Sequence, residues 1–199
     1  MPSGPPARGM CEDLRMTKTD RPAKESRTVF LCGLKGCGKT TLARKAASML
    51  GCTSMDCDEM ILRMNPGFTT CRQLFKTIGE KAFRAEESKA AKAIAKLCGK
   101  NGGLAIVALG GGACDADDVL STAKDNGILV YLYQTEHVLF ERMKANGLPP
   151  YLDEAIAEQQ FHQLYERRNE IYSCSADYVI QLSDCTEDEA VSALEGLLK

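Results

Sequence analysis

Gly33-Leu34-Lys35-Gly36-Cys37-Gly38-Lys39-Thr40 fits G-x-x-x-x-G-K-[ST], the spacing of a phosphate-binding loop. The residue types answer to the chemistry. Gly33, Gly36 and Gly38 can take positive φ and bring the backbone close to phosphate oxygens. The loop amides and the N-terminus of the following helix, opened by Thr41, then form a nest for an anion. Lys39 is placed to reach β- and γ-phosphates, and the Thr40 hydroxyl to serve Mg²⁺. The flanks agree with this reading. Val29-Phe30-Leu31-Cys32 is apolar and β-prone, a strand entering the loop. Residues 39–50 read as the helix leaving it, with Gly51 as its stop.

Outward from the loop, apolar runs at Thr28–Cys32, Thr53–Asp56, 104–109, 127–132 and 177–181 alternate with helical patterns at about 39–50, 80–99, 115–125, 135–145, 154–173 and 187–198. Such alternation predicts an α/β fold of three layers, α/β/α, around a five-stranded parallel sheet. Ligands of such sheets sit at the carboxyl ends of the strands. Two long stretches between strands, 57–103 and 133–176, are where a substrate site and a lid are expected.

The composition sets limits. The chain has 199 residues, 44% hydrophobic and 26% charged, with a net charge of −2. That suits one domain, over 28–199, and gives no sign of a nucleic-acid partner or of a membrane span. Residues 1–27 hold Pro2, Pro5, Pro6 and Pro22, many charges and few large apolar side chains, and read as a loose tail. The ten cysteines include no C-x-x-C and are expected as free thiols in a cytoplasmic protein. Cys37 lies inside the loop, so oxidant-sensitive nucleotide binding is expected there.

Three further stretches carry candidate chemistry. Asp56 and Asp58 end the second strand. In an extended chain they share a side and would face the loop from the neighbouring strand, one for Mg²⁺ and one to accept a hydrogen bond from a hydroxyl. Capping the helix that starts near Glu59 is the alternative, and Asp58 could do both. Arg84 and Glu87, three apart, share a helix face. Glu87 can hold the Arg84 guanidinium in place to grip an anionic substrate group, or the two can be a surface ion pair. Gly110-Gly111-Gly112 after the third strand allows close approach of a ligand, or simply a flexible turn.

In this order and spacing the phosphate loop, D-x-D, G-E-x-x-F-R-x-x-E and the triple glycine resemble the shikimate kinase family, from about Thr28 to the end of the chain. The resemblance implies a P-loop kinase topology and MgATP-dependent phosphorylation of the 3-hydroxyl of shikimate, by a protein expected to be monomeric. It implies catalytic roles for Lys39 and for Asp58 as base, and Asp56 and Thr40 about the magnesium. Arg84 and Arg168 would take the substrate carboxylate and Gly111 the ring substituents. Arg168 stands four residues before Tyr172, as the family's second carboxylate ligand does; without the family, Arg167-Arg168 reads as solvated helix surface. ATP would be held by the loop from Gly33 through Lys35, Gly36, Cys37 and Gly38 to Thr41, and by Arg142 against the adenine. Related small-molecule or nucleoside monophosphate kinases, and a binding protein without turnover, are the alternatives.

One position departs. The family's lid, here about 144–157, reads Arg-Pro-Leu-Leu, and its Arg reaches the transferring phosphoryl group. This chain has Pro149-Pro150-Tyr151-Leu152, with Pro149 in the place of the Arg. Lys35 and Lys144 are the nearest cations in sequence to take over that role; a slow enzyme or one with a different hydroxyl substrate, and a kinase-like binding protein that has lost turnover, are the alternatives.

Overall fold

The computed structural model describes residues 16–18, 28–116, 118–149 and 152–197. Strands β1 (Met16–Lys18), β2 (Thr28–Cys32), β3 (Thr53–Asp56), β4 (Ala105–Ala108), β5 (Ile128–Tyr133) and β6 (Tyr178–Gln181) form one sheet in the order β1-β6-β5-β2-β4-β3. The five strands β2 to β6 are parallel, as expected. β2, β4 and β5 are buried along their whole length. That explains their unbroken apolar runs, because helices cover both faces of a parallel sheet. β3 lies at one edge, and its Thr-Ser-Met-Asp sequence is correspondingly polar and half open.

Two expectations need correction here. The sheet has a sixth strand: Met16–Lys18 pairs antiparallel with β6, Thr17 opposite Val179, within the stretch read as a loose tail. The rest of that tail lies outside the described residues. Further, β3 is not the neighbour of β2, because β4 stands between them.

The helices are α1 (Lys39–Leu50), α2 (Cys57–Met64), α3 (Cys71–Ile78), α4 (Glu80–Asn101), α5 (Val119–Asn126), α6 (Glu136–Ala145), α7 (Ala157–Ser175) and α8 (Glu187–Gly196). The helix expected from 115 starts only at Val119, after a 3₁₀ turn over Ala113–Asp115. The stretch 57–103 contributes α2, α3 and α4, which bury Ile61, Leu74, Phe83 and Ala90 in a small core of their own. Fully burying a side chain such as Ile61 or Leu74 is worth about 1.5–3 kcal/mol, so this satellite core holds three helices over one end of the sheet. No described helix is long and apolar enough to cross a membrane. Nine cysteines, from Cys32 to Cys185, are free thiols; Cys11 lies outside the described residues.

Candidate active site

The phosphate loop has the backbone its glycines foretold: φ is 143° at Gly33, 88° at Gly36 and 101° at Gly38. At Gly33 a Cβ would stand 2.8 Å from the Leu132 carbonyl oxygen of β5, so this position excludes a side chain on space as well as on φ. Lys39 is 7% exposed. Its Nζ donates to the carbonyls of Gly33 at 2.8 Å and Leu34 at 3.0 Å. The ammonium is thereby folded back over its own loop, within reach of an anion seated there. Arg142 of α6 donates to Gly36 O at 2.8 Å, which sets its guanidinium beside the loop. Cys37 is 1% exposed and does not line the cleft described below. Burial limits the access of peroxide to its thiol, which argues against the oxidant sensitivity expected there.

A cleft of about 440 Å³ opens over the loop. Lys35, Lys39, Thr40 and Thr41 line it from one side, Asp56 and Asp58 from the end of β3, Arg84 and Glu87 from α4, Gly111 and Arg168 from the far wall. Stretches distant in the chain thus meet at the carboxyl ends of the parallel strands. Phosphate loop, two acids and two arginines share one volume.

The two acids are not related by an extended chain. β3 ends at Asp56 and α2 begins at Cys57, so Asp56 is the helix cap: its Oδ1 accepts from the amides of Asp58 at 2.8 Å and Glu59 at 3.3 Å. Its Oδ2 accepts from Thr40 Oγ1 at 2.6 Å. One carboxylate therefore both caps α2 and ties the end of β3 to α1. Asp58 sits in the first turn of α2. Its side chain is open to the cleft but crowded by the walls; that crowding, and next the charge of Asp56, lift its pKa above the ordinary carboxylate value against the pull of Lys39 and Lys35. Its carboxylate accepts no hydrogen bond from the described residues and remains open to a ligand.

The arginines are held by a carboxylate that the sequence reading passed over. Asp115, in the 3₁₀ turn after the triple glycine, accepts from Arg84 Nη2 at 3.2 Å, Arg168 Nη2 at 2.5 Å and Arg167 Nη2 at 2.9 Å. Burial alone would raise its pKa; Arg168, then Arg84 and Arg167, overcome this and hold it below the usual range. Arg84 also meets Glu87 at 2.7 Å, as the i,i+3 spacing foretold. Burial raises the pKa of Glu87, although Arg84 opposes the shift. Arg168 is 4% exposed, so it is not solvated surface. Its Nη1 donates to Gly111 O at 3.2 Å, and the Tyr172 hydroxyl, one turn on, donates to the same carbonyl at 3.2 Å. Tyr172 stacks on Tyr131 of β5 with ring centres 5.4 Å apart, which fixes α7 against the sheet. The buried Arg84 Nε has no acceptor among the described residues.

Gly111 and Gly112 are tight positions. A Cβ on Gly111 would stand 2.8 Å from the amide nitrogen of Lys35, and one on Gly112 would collide with the Arg84 guanidinium. The triple glycine is therefore the contact between phosphate loop and arginine cluster, not a loose turn.

Of the described lid residues, Pro149 stands on the cleft wall. Lys144, one of two cations expected near it, is directed elsewhere. It pairs with Glu141 at 2.5 Å, lies over the Phe140 ring, and lines a separate surface depression. A second residue unforeseen from sequence is Arg72 of α3. It lines the cleft and donates from Nη2 to Gly147 O at 2.8 Å and Leu148 O at 3.0 Å.

Comparison with known proteins agrees with this architecture. A family model described as shikimate kinase matches residues 35–198. The shikimate kinase of Methylococcus capsulatus is 32% identical over 168 residues, 84% of this chain and 90% of that protein. That of Thermodesulfovibrio yellowstonii is 27% identical over the same length, covering 84% and 92%. Among solved structures, shikimate kinase from Acinetobacter baumannii in complex with shikimate superposes with a TM-score of 0.75 at 27% identity, covering 86% of this chain and 92% of that one. The Bacteroides thetaiotaomicron enzyme gives 0.72 at 27% identity, covering 86% and 97%. A phosphate loop, an open aspartate and two carboxylate-held arginines in one cleft, on a chain matched over most of its length, lead to one conclusion: the chain belongs to the shikimate kinase family.

Proposed function

We propose that this protein transfers the terminal phosphoryl group of ATP to the 3-hydroxyl of shikimate. The observation that carries the proposal is the shared cleft: Lys39, Asp58, Arg84 and Arg168, from four separate stretches, all line it. Arg84 and Arg168 suit a small acid, because guanidinium groups match carboxylate geometry with paired hydrogen bonds.

With the acid so placed, its hydroxyl lies at Asp58, whose free carboxylate accepts the proton as the oxygen attacks. Lys39 exchanges its two loop carbonyls for phosphate oxygens, and the loop amides complete the anion site. Arg142, beside Gly36, is set to cover the base of the nucleotide. Most of the rate would come from positioning and charge neutralisation, as in other phosphoryl transfers. Thr40 and Asp56 fit Mg²⁺: a hydroxyl and a carboxylate 2.6 Å apart at the cleft wall are hard oxygen donors. When bound there, the ion would offset charge on the β- and γ-phosphates. The free thiols and the kinase chemistry fit a cytoplasmic setting.

The test is ADP release and product identification with MgATP and shikimate, beside gluconate and nucleoside monophosphates as rival acceptors. Shikimate 3-phosphate formed with shikimate alone supports the proposal; turnover confined to a rival acceptor overturns it. Gly111→Ala is expected to lower kcat/KM about 100-fold, because its Cβ pushes Lys35 and displaces the loop by an amount on the order of 1 Å. Steady-state kinetics read this directly, and a loss below threefold would contradict the close packing of loop and glycine turn.

A further inference from the structure

In several phosphoryl-transfer enzymes a cation facing the group in flight, beyond the one in the phosphate loop, is worth about 10³–10⁵ in rate. The cleft has few cations left for that purpose. Arg84 and Arg168 are committed to Glu87 and Asp115. Arg142 donates to Gly36 and stands off the cleft wall. Lys144 faces a different depression. Lys35 and Arg72 remain.

Arg72 is placed oddly for a structural residue. It lies in the first turn of α3, capped by Thr70, and that turn holds no acid. A cation there opposes the helix dipole. Among the described residues it meets no carboxylate, and only its Nη2 is engaged, by the carbonyls of Gly147 and Leu148. Its other donors have no acceptor among those residues. The two carbonyls belong to the lid residues directly before Pro149, which lines the same cleft as Arg72, Lys39 and Asp58.

We propose that Arg72 is the cation that meets the transferring phosphoryl group. In this chain the lid contributes two aiming carbonyls, and the charge comes from α3, which compensates for the proline at 149. The proposal rests on the phosphotransferase reading of the cleft. It makes Arg72 a catalytic residue in contact with reacting atoms, and leaves Lys35 a lesser part beside Asp58. The planar fork of Arg72 can hold lid carbonyls with one edge and phosphoryl oxygens with another, which an ammonium cannot do.

The experiment compares the wild type with Arg72→Ala, Arg72→Lys, Lys35→Ala and the double variant Arg72→Ala/Pro149→Arg. Arg72→Ala is expected to lower kcat about 10³-fold with KM for shikimate within about threefold. Arg72→Lys falls between it and the wild type, Lys35→Ala loses less than Arg72→Ala, and the arginine restored at 149 recovers at least about tenfold of the loss. A second readout needs no turnover. Titration with MgADP, with and without aluminium fluoride, measures the gain from a phosphoryl mimic. Arg72→Ala should lose about 100-fold of that gain and bind MgADP itself as the wild type does. An Arg72→Ala protein with unchanged kcat and unchanged aluminium fluoride gain overturns the proposal. If the wild type makes no shikimate 3-phosphate, the assigned reaction fails instead, and the aluminium fluoride titration still decides the role of Arg72.

Discussion

Asp58→Asn is expected to fold, to bind MgATP within about threefold of the wild type, and to lose about 10³ in kcat. The argument begins with what the carboxylate does not do. The cap of α2 is Asp56, and no described residue donates to the Asp58 carboxylate. Replacing it by an isosteric amide removes no contact that holds the fold. It removes the proposed acceptor for the proton of the attacking hydroxyl, and with it a charge opposite Lys39 and Lys35. The same crowding that lifts the pKa of Asp58 makes its ionised form a cost to the folded state at neutral pH. The amide should therefore leave the melting temperature unchanged or slightly higher, the gain being small because the cleft is open to water. Rapid-quench measurement of a single turnover, with thermal melting at pH 7, checks both halves. A kcat within tenfold of the wild type would remove Asp58 from the chemistry. A clear fall in Tm would mean that the aspartate holds the structure after all.

What could be read from the sequence follows the range of the interactions. The phosphate loop, β2 and α1 are specified within some twenty neighbouring residues, by glycine spacing and an apolar run, and they form as expected. Arg84 and Glu87 meet because three residues of helix dictate it. β1 could not be read: three residues, Met16–Lys18, owe their conformation to the open edge of β6. α3 left a faint trace, with Thr70 before it, Gly79 after it and Leu74 turned inward, but eight residues are short against turn-rich surroundings. The pairing of β3 with β4 instead of β2 is likewise a matter of chain crossover. Asp115 had no local signal. Its partners lie 31, 52 and 53 residues away, on α4 and α7, and only the folded sheet brings them together. The same holds for Arg72, which meets the lid 75 residues further on. Local pattern thus specified the backbone of the loop, while the elements that hold the arginines depend on tertiary structure.

That dependence makes Asp115→Ala the most informative stability variant. Three guanidinium groups converge on this one carboxylate, whose side chain is only 10% exposed. Removing it leaves Arg84 and Arg168 charged, enclosed and mutually repelling, and loss of one partner from a buried ionic cluster costs about 3–5 kcal/mol. Arg167→Ala is the control: this side chain is 54% exposed, and its loss should cost less than about 1 kcal/mol. The effect has a defined pH dependence. Asp115 titrates lower in the folded protein than in the unfolded chain. Its contribution is therefore complete above the ordinary aspartate pKa of about 3.9 and drains away as pH falls through the folded value. Urea unfolding of the wild type and Asp115→Ala should show the full gap at pH 7 and a smaller one in the acid range below about pH 4. Kinetically, the arginines lose their orientation before the phosphate site is touched, so KM for shikimate should rise about tenfold or more while the affinity for MgATP stays near the wild-type value. A gap under 1 kcal/mol at pH 7, or one that persists undiminished in acid, would show that Arg84 and Arg168 are held by Glu87 and the Gly111 carbonyl without Asp115.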